Sequence, residues 1–546
     1  MNPPAPDNHS NRFWLWLSIA GWLGCFLLAS DRLRGLLTNS ALLASGTLFI
    51  SLPLGLLLAV AIAKTDVWGR LWLERLMIVL LCVPLYVQAT AWQAALGQGG
   101  YLVEQSWLAS WTGAIWIHAM AAVPWVVLLT TAALRNVPRE LEEEALQDSA
   151  SWQVIFQISL PNAFSGIGAS ALWITFLCFS EIAVTDLFQV RTFAEEIYTA
   201  ASLGVLDSVQ VEQVNSTLDT LTLPQFQSRD LWIGIVVVAL LALFCLQQLT
   251  KCFSLGGFVS ASSDWVWPVK KGWLCAWVLV WGIAILVVGI PMLGLAGKSG
   301  ILVQPIDGQL VRCWSPGKAA QLVLTSPWQN RREFGWTLAI AAVVTFVTVS
   351  VAIVIAWTMR TKKIFAWPAT LAISVLLAIP GPLLAVWLIR LLNQPTDSWL
   401  SALTWCYDHT ILAPVLVQIA RALPMVTLVM HSQFARLPQD ILDSSRSEGA
   451  GWLDQLRTIA LPACLPAIMV SMAIAIIVSL GELAATLLVV PPGVSPLSVR
   501  IFGLIHYGAE DKVSALCLFL VLSLAILSVA FRQVWQIVNP TRNLGQ

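Results

Sequence analysis

The sequence predicts an all-α polytopic membrane protein, with about 12 transmembrane helices in two parallel six-helix halves, and three observations carry that reading. The 546-residue chain is 58% hydrophobic and 11% charged, where a soluble domain has roughly 45 to 50% apolar and about 25% charged residues. Apolar windows of the roughly 20 residues needed to cross a bilayer recur from end to end. A polar segment held between two such windows occurs twice, beginning at Pro138 and again at Pro438. The 30 basic and 30 acidic residues balance and lie mainly between apolar runs, so there is no basic surface for nucleic acid.

In chain order, the windows of the first half fall near 12 to 30, 40 to 63, 76 to 97, 112 to 134, 163 to 186 and 231 to 250. Those of the second fall near 272 to 296, 334 to 358, 366 to 391, 411 to 432, 463 to 490 and 514 to 535. The first run, Phe13 to Ala29, lacks an Ala-x-Ala-like cleavage site and is followed by Asp31, Arg32 and Arg34, so it reads as a retained span. Residues 251–271, rich in Ser, Gly and Val, form a linker between a first half, 1–250, and a second, 272–546.

Both polar segments lie between the fourth and fifth span of their half, with an even number of spans between them, and so share one side. Placing them inside puts 17 of the 30 basic residues inside and 12 outside, with Arg421 within a span. The short loops around 64 to 70 and 359 to 364 argue best, and the termini are then both cytoplasmic. Two outer segments are long enough for structure of their own, Gln189 to Asp230 and Lys298 to Arg332. The first holds Glu195, Glu196, Asp207, Glu212 and Asp219, with an amphipathic helix expected around Phe193 to Leu206.

The repeated segment runs Pro138-Arg-Glu-Leu, Asp148-Ser-Ala-Ser-Trp152 and Ile158-Ser-Leu-Pro161 in one copy. The other runs Pro438-Gln-Asp-Ile, Glu448-Gly-Ala-Gly-Trp452 and Ile459-Ala-Leu-Pro462. Proline followed by Glu140, Glu142, Glu143 and Glu144, or by Asp440 and Asp443, suits a helix start. Small residues and a second amphipathic stretch follow, which predicts a helix-turn-helix on the cytoplasmic face.

This pattern resembles the EAA loop, the coupling loop of permease subunits of binding-protein-dependent ABC importers. The matching positions are Glu143, Glu144 and Ala145, then Asp148, Ser149 and Ala150, then Ile158, Leu160 and Pro161. In the second copy they are Asp443, Ser444 and Ser445, then Glu448, Gly449 and Ala450, then Ile459, Leu461 and Pro462. Ser149 stands where the family has glycine, so the first loop must turn differently or with strain. Likeness extends to Phe179-Ser-Glu-Ile-Ala-Val-Thr185 and Leu480-Gly-Glu-Leu-Ala-Ala-Thr486. Fused twin permeases of this size look most like the ferric-iron importers, with the thiamine importers next.

The resemblance implies an inner-membrane, single-chain unit that pairs with two ABC ATPase subunits and a periplasmic binding protein. It is not itself an enzyme and carries no cofactor. Ferric iron leads as substrate, with thiamine, polyamines and phosphonates as alternatives. An ion-gradient-driven secondary transporter is the competing class. A parallel repeat whose strongest feature is a loop, rather than a broken helix at midplane, weighs against it.

Glu181 and Glu482 occupy equivalent places late in the fifth span of each half. They either line the translocation path near its outer gate or stabilise packing. Arg421 and Arg390 read as structural or snorkelling charges. Gly297-Lys298-Ser299 is no P-loop, because Met292 stands where the first glycine belongs and an apolar span leads in. Cys25, Cys82, Cys178, Cys245, Cys252, Cys275, Cys313, Cys406, Cys464 and Cys517 have no CxxC spacing and read as core residues. His118, His409, His431 and His506 lack metal-ligand spacing. Tryptophans near span ends read as interfacial anchors. Pro84, Pro380 and Pro382 interrupt spans at matching places in the two halves, as kinks or gate hinges.

Overall fold

A computed structural model describes residues 24, 28–103, 108–202, 228–255, 273–306, 309–394 and 401–538. Most of the first predicted span, most of the linker and residues 203–227 lie outside that set. Among the described residues, seven helices are long and apolar enough to cross a membrane, or eleven if each bent pair counts as one span.

The first half consists of α1 (Asp31–Lys64), α2 (Arg70–Cys82), α3 (Leu85–Leu96), α4 (Ser110–Leu134), α5 (Arg139–Asp148), α6 (Ser151–Asn162) and α7 (Phe164–Ser180). It ends with α8 (Ala183–Leu187), α9 (Phe193–Ser202) and α10 (Ser228–Leu255). The second half opens with α11 (Leu274–Ser299), the antiparallel hairpin β1 (Ile301–Ile306) and β2 (Gln309–Trp314), and α12 (Pro316–Gln329). It continues with α13 (Arg331–Thr361), α14 (Lys363–Ala378), α15 (Gly381–Leu392), α16 (Ser401–His409) and α17 (Leu412–Phe434). Last come α18 (Gln439–Ser447), α19 (Trp452–Ala463), α20 (Leu465–Gly481), α21 (Ala484–Val489), α22 (Leu497–His506) and α23 (Glu510–Val538). We call the side bearing α5, α6, α18 and α19 the loop face, and the other side the far face.

The duplicated sequence yields a duplicated fold. α1 packs along α4 and α7 just as α13 packs along α17 and α20. The predicted spans 76 to 97 and 366 to 391 are broken where Pro84, Pro380 and Pro382 were expected to interrupt them, α2 meeting α3 at 106° and α14 meeting α15 at 102°. The breaks fall at Val83-Pro84 and Ile379-Pro380, where the residue before proline is extended (φ −77° and −68°). Proline excludes its predecessor from the helical region and has no N–H to continue the ladder. The fifth spans also end sooner than expected, at Ser180 and Gly481, which leaves Glu181 and Glu482 just beyond the helix instead of inside it.

The halves interleave. α11 and α23 of the second half pack against α3 of the first, while α10 and α9 of the first pack against α14 and α15 of the second. Close approach of α11 to α3 depends on Gly294, where a Cβ would sit 2.5 Å from the Ala95 amide nitrogen. The expected amphipathic helix is α9, which buries Phe193, Ala194 and Ile197. The segment after Lys298 forms the hairpin and α12, whose exposed Leu324 and Trp328 lie one turn apart beside Arg331. Lys298 itself, the lysine of the rejected P-loop, is buried and paired with Glu510 on α23.

Candidate functional site

Each predicted helix-turn-helix is present, α5 with α6 and α18 with α19. Glu143, Glu144, Asp148, Ala150 and Pro161 are exposed, and so are Asp443, Ser444, Glu448, Gly449 and Pro462. Ala145, Ser149, Ile158, Leu160, Ser445, Ala450, Ile459 and Leu461 are half-buried against the bundle. The two turns differ as the residues require. Gly449 adopts φ +90° with its amide bonded to the Arg446 carbonyl, a left-handed conformation suited to glycine. Ser149 is extended at φ −133°, so the first loop turns without strain. A π-turn follows in both, at Ile155–Ser159 and Leu456–Ala460, a feature frequent at functional sites.

The loops are anchored by different chemistry, which sequence reading missed. On the first, Glu142 is buried and its two oxygens lie 2.7 and 2.8 Å from Lys64 Nζ at the end of α1. Ser159 Oγ donates to the same carboxylate at 2.7 Å. Arg135 at the end of α4 makes a two-pronged pair with Glu74 on α2, at 2.7 and 2.9 Å. The second loop has Leu442 at the place of Glu142, packed with Trp357, Met430 and Phe434. There Trp357 Nε1 donates to the Trp452 carbonyl and Trp452 Nε1 to Thr361 Oγ1 at 3.0 Å, and Arg360 donates to the Leu437 carbonyl at 3.1 Å and to Gln439 Oε1 at 3.0 Å. The available signal was the mismatch of Glu142 with Leu442 in an otherwise parallel repeat.

Both loops also present apolar side chains to solvent. Trp152 and Phe156 are 62% and 64% exposed, and Ile441, Trp452 and Leu453 are exposed on the second loop.

Toward the far face, about 25 Å along α7 by helical rise, Ile182, Ala183 and Asp186 face Leu483, Ala484 and Leu487 across a void of about 10 Å³. The paired positions are equivalent in the repeat, so the axis relating the halves runs through this seam. Tyr86 Oη donates to the Leu480 carbonyl at 3.1 Å and ties the halves together beside it.

Glu181 and Glu482 flank the seam. Glu181 Oε1 accepts from the Ala183 and Val184 amides at 2.5 and 3.3 Å, and Glu482 Oε1 from the Ala485 amide at 3.0 Å. Each carboxylate thus caps the helix that forms its side of the seam. Each also meets one cation. His118 Nε2 lies 3.2 Å from Glu181 Oε2, and Arg421 Nε lies 3.3 Å from Glu482 Oε2. Arg421 also donates to the Ile379 carbonyl at 3.2 Å, so it is a structural link to the broken span and not a snorkelling charge. A separate cavity of about 560 Å³ on the far face is walled by Thr90, Gln93, Gln189, Lys298 and Ser514. Two residues in its wall, Ser110 and Gln189, hold positive φ of 44° and 54°, which stores backbone strain.

Comparison with known proteins fits this duplicated geometry. The family described as "binding-protein-dependent transport system inner membrane component" matches twice, over residues 51–247 and 348–543. The Fe(3+)-transport system permease protein FbpB 2 of Haemophilus influenzae is 23% identical over 484 residues, 87% of this chain and 85% of that protein. The molybdenum transport system permease protein ModB of the same organism is 29% identical over 132 residues, 23% of this chain and 58% of ModB. A putative 2-aminoethylphosphonate transport system permease protein, PhnV of Salmonella typhimurium, is 34% identical over 112 residues, 20% of this chain and 40% of PhnV. The chain therefore spans most of the iron permease but only about half the length of the other two. With one family domain in each half, this chain belongs to the binding-protein-dependent transport system inner membrane components and is a multi-pass permease component of an ABC importer.

Proposed function

We propose that this permease imports ferric iron by alternating access, with two ATPase subunits bound at its loops and a periplasmic binding protein docked on the far face. The observation that supports it is the pair of exposed, aromatic-tipped helix-turn-helix loops on one face, each anchored to the bundle. The loop face is then cytoplasmic, as are both termini, and the halves 1–250 and 272–546 joined at 251–271 are the moving units. Glu143, Glu144, Ala145, Asp148, Ser149 and Ala150, and Asp443, Ser444, Ser445, Glu448, Gly449 and Ala450, contact the ATPase surface. Ile158, Leu160 and Pro161, with Ile459, Leu461 and Pro462, pass its movement into α7 and α20. Glu181 and Glu482 flank the outer gate, which is closed at the seam. ATP binding draws the loops together and parts the seam toward the docked binding protein.

Iron is favoured because the Fe(3+) relative aligns along nearly the whole chain, whereas the molybdenum and phosphonate relatives align with a quarter of it or less. Broken helices, expected of secondary transporters, are present here too, so family membership and not their absence weighs against that class.

Uptake of radiolabelled ferric iron, beside thiamine, molybdate and 2-aminoethylphosphonate, in cells lacking this chain and with it restored tests the substrate. Restored iron uptake alone is expected, and restoration of another substrate alone overturns the iron assignment. Ala150→Glu or Gly449→Glu is expected to abolish ATP-driven uptake while the protein still inserts. Unimpaired uptake in both variants would remove the coupling role.

A further inference from the structure

The two halves differ between their first and second spans. In the first half the apolar window 12 to 30 is followed at once by α1 at Asp31, whereas in the second α11 ends at Ser299 and α13 begins only at Arg331. The added residues form the hairpin and α12, so the duplicated bundle does not need them, and an insertion in one repeat often marks a binding face. α12 packs along α23, covering Leu322, Val323 and Ser326. It leaves Leu324 and Trp328 on the outer side, 74% and 73% exposed.

α12 is inclined toward the bilayer. Near its start Lys318 Nζ lies 2.9 Å from Asp511 at the far end of α23, and just past its end the Phe334 ring lies 5.7 Å from that of Phe519. From residue 511 to residue 519, α23 runs about 12 Å deeper by helical rise. Leu324 and Trp328 thus lie toward the deeper end of α12, next to the exposed Leu338 and Phe346 of the membrane-crossing α13. The rim of this patch is cationic. The Arg331 guanidinium lies 5.2 Å over the Trp328 ring, and neither Arg331 nor Arg332 has an acidic partner among the described residues. Residues 308–332 hold four basic side chains and no acidic one. A tryptophan with an arginine three residues on recurs at the loop-face end of α2, where Arg75 lies 4.6 Å over the exposed Trp72. Tryptophan favours the headgroup level of a bilayer, and arginine grips phosphate with paired N–H donors.

We propose that α12 is a phospholipid-binding anchor, with Leu324 and Trp328 set into the headgroup boundary of the far leaflet and Arg331 and Arg332 on lipid phosphate. The inclination favours lipid over a protein docking from solution, since the patch lies at the end of α12 nearest the bilayer. Amphipathic helices of this kind bury their apolar face about 5 to 10 Å into that boundary. Through Lys318 with Asp511 and Lys298 with Glu510, the anchor fixes the height of α11 and α23, which wall the far-face cavity. It requires only that the chain spans a membrane, and it stands or falls independently of the substrate and orientation proposed above.

The test uses the full chain in nanodiscs of equal parts phosphatidylcholine and phosphatidylglycerol, with the photo-crosslinking change Leu324→p-benzoylphenylalanine. After illumination, lipid adducts on the peptide that carries residue 324 are read by mass spectrometry, where their mass identifies the lipid. Phe346→p-benzoylphenylalanine, inside the span, gives the yield for a side chain surrounded by lipid. Adducts at 324 are expected within about threefold of that yield. Phosphatidylglycerol is expected to be captured at 324 about twice as often as phosphatidylcholine or more, because two arginines near the surface attract anionic lipid. Adding Arg331→Gln and Arg332→Gln is expected to bring that preference to about 1. Both residues are exposed, so the fold survives the change. Lipid adducts at 346 with none at 324, or cross-linking of residue 324 in whole cells to another protein instead of lipid, overturns the anchor. A capture ratio that the arginine changes leave as it was overturns the phosphate contact.

Discussion

Replacing Glu142 by alanine is expected to be the most damaging single change on the loop face, lowering stability by about 3 to 5 kcal/mol. The Lys64 and Glu142 side chains are 6% and 1% exposed, and Ser159 completes the carboxylate's bonding. Removing the carboxylate leaves an ammonium buried at the end of α1 with no compensating charge, and α5 loses its attachment to that helix. The double change Lys64→Met with Glu142→Leu is expected to recover most of the loss, because the second half builds the same junction from Leu442 and its apolar neighbours. Thermal unfolding of the purified protein in detergent measures both. A Glu142→Ala protein as stable as the original, or a double variant as damaged as the single, would show that the ion pair does not anchor the loop. Uptake by the double variant separates two roles: retained uptake makes the pair a structural anchor, and lost uptake in a stable protein makes it part of the transmission.

Arg421→Ala is the second large effect, with an expected loss also of about 3 to 5 kcal/mol. Glu482 is 8% exposed and would keep the Ala485 amide but lose its only ion-pair partner among the described residues. The same guanidinium donates to the Ile379 carbonyl, so the break between α14 and α15 loosens together with the seam. Arg421→Lys retains the charge but not the planar fork that reaches carboxylate and carbonyl at once, and an intermediate loss is expected. Adding Glu482→Gln to Arg421→Ala is expected to restore part of the stability by removing the stranded charge. If Arg421→Ala unfolds at the temperature of the original protein, the pair contributes nothing to closing the second half.

Much of this molecule was legible before any coordinates. Hydrophobic windows locate the spans because a bilayer admits only long apolar helices or closed barrels. The polar repeat at Pro138 and Pro438 locates both loops, and the missing glycine at Ser149 foretold that the first turn would differ. Other features were not legible. The prolines at 84 and 380 marked an interruption of each third span, but windows averaged over about 20 residues give no sign of how sharply it bends, by 106° and 102°, because composition carries no direction. The roles of Lys64, His118 and Tyr86 were missed for a related reason, since each partner lies tens or hundreds of residues away in the chain.

The sequence by itself therefore determined the class of molecule, its duplication, the place of its loops and the equivalence of Glu181 with Glu482. Those properties are set by local hydropathy and by short patterns that repeat, both of which are written along the chain. The tertiary structure alone decided that the first loop rests on a buried ion pair and the second on an apolar cluster, and that one seam carboxylate meets a histidine and the other an arginine. Each of these is a pairing between distant residues, and pairings of that kind are fixed by how helices pack in three dimensions, not by what any one helix contains.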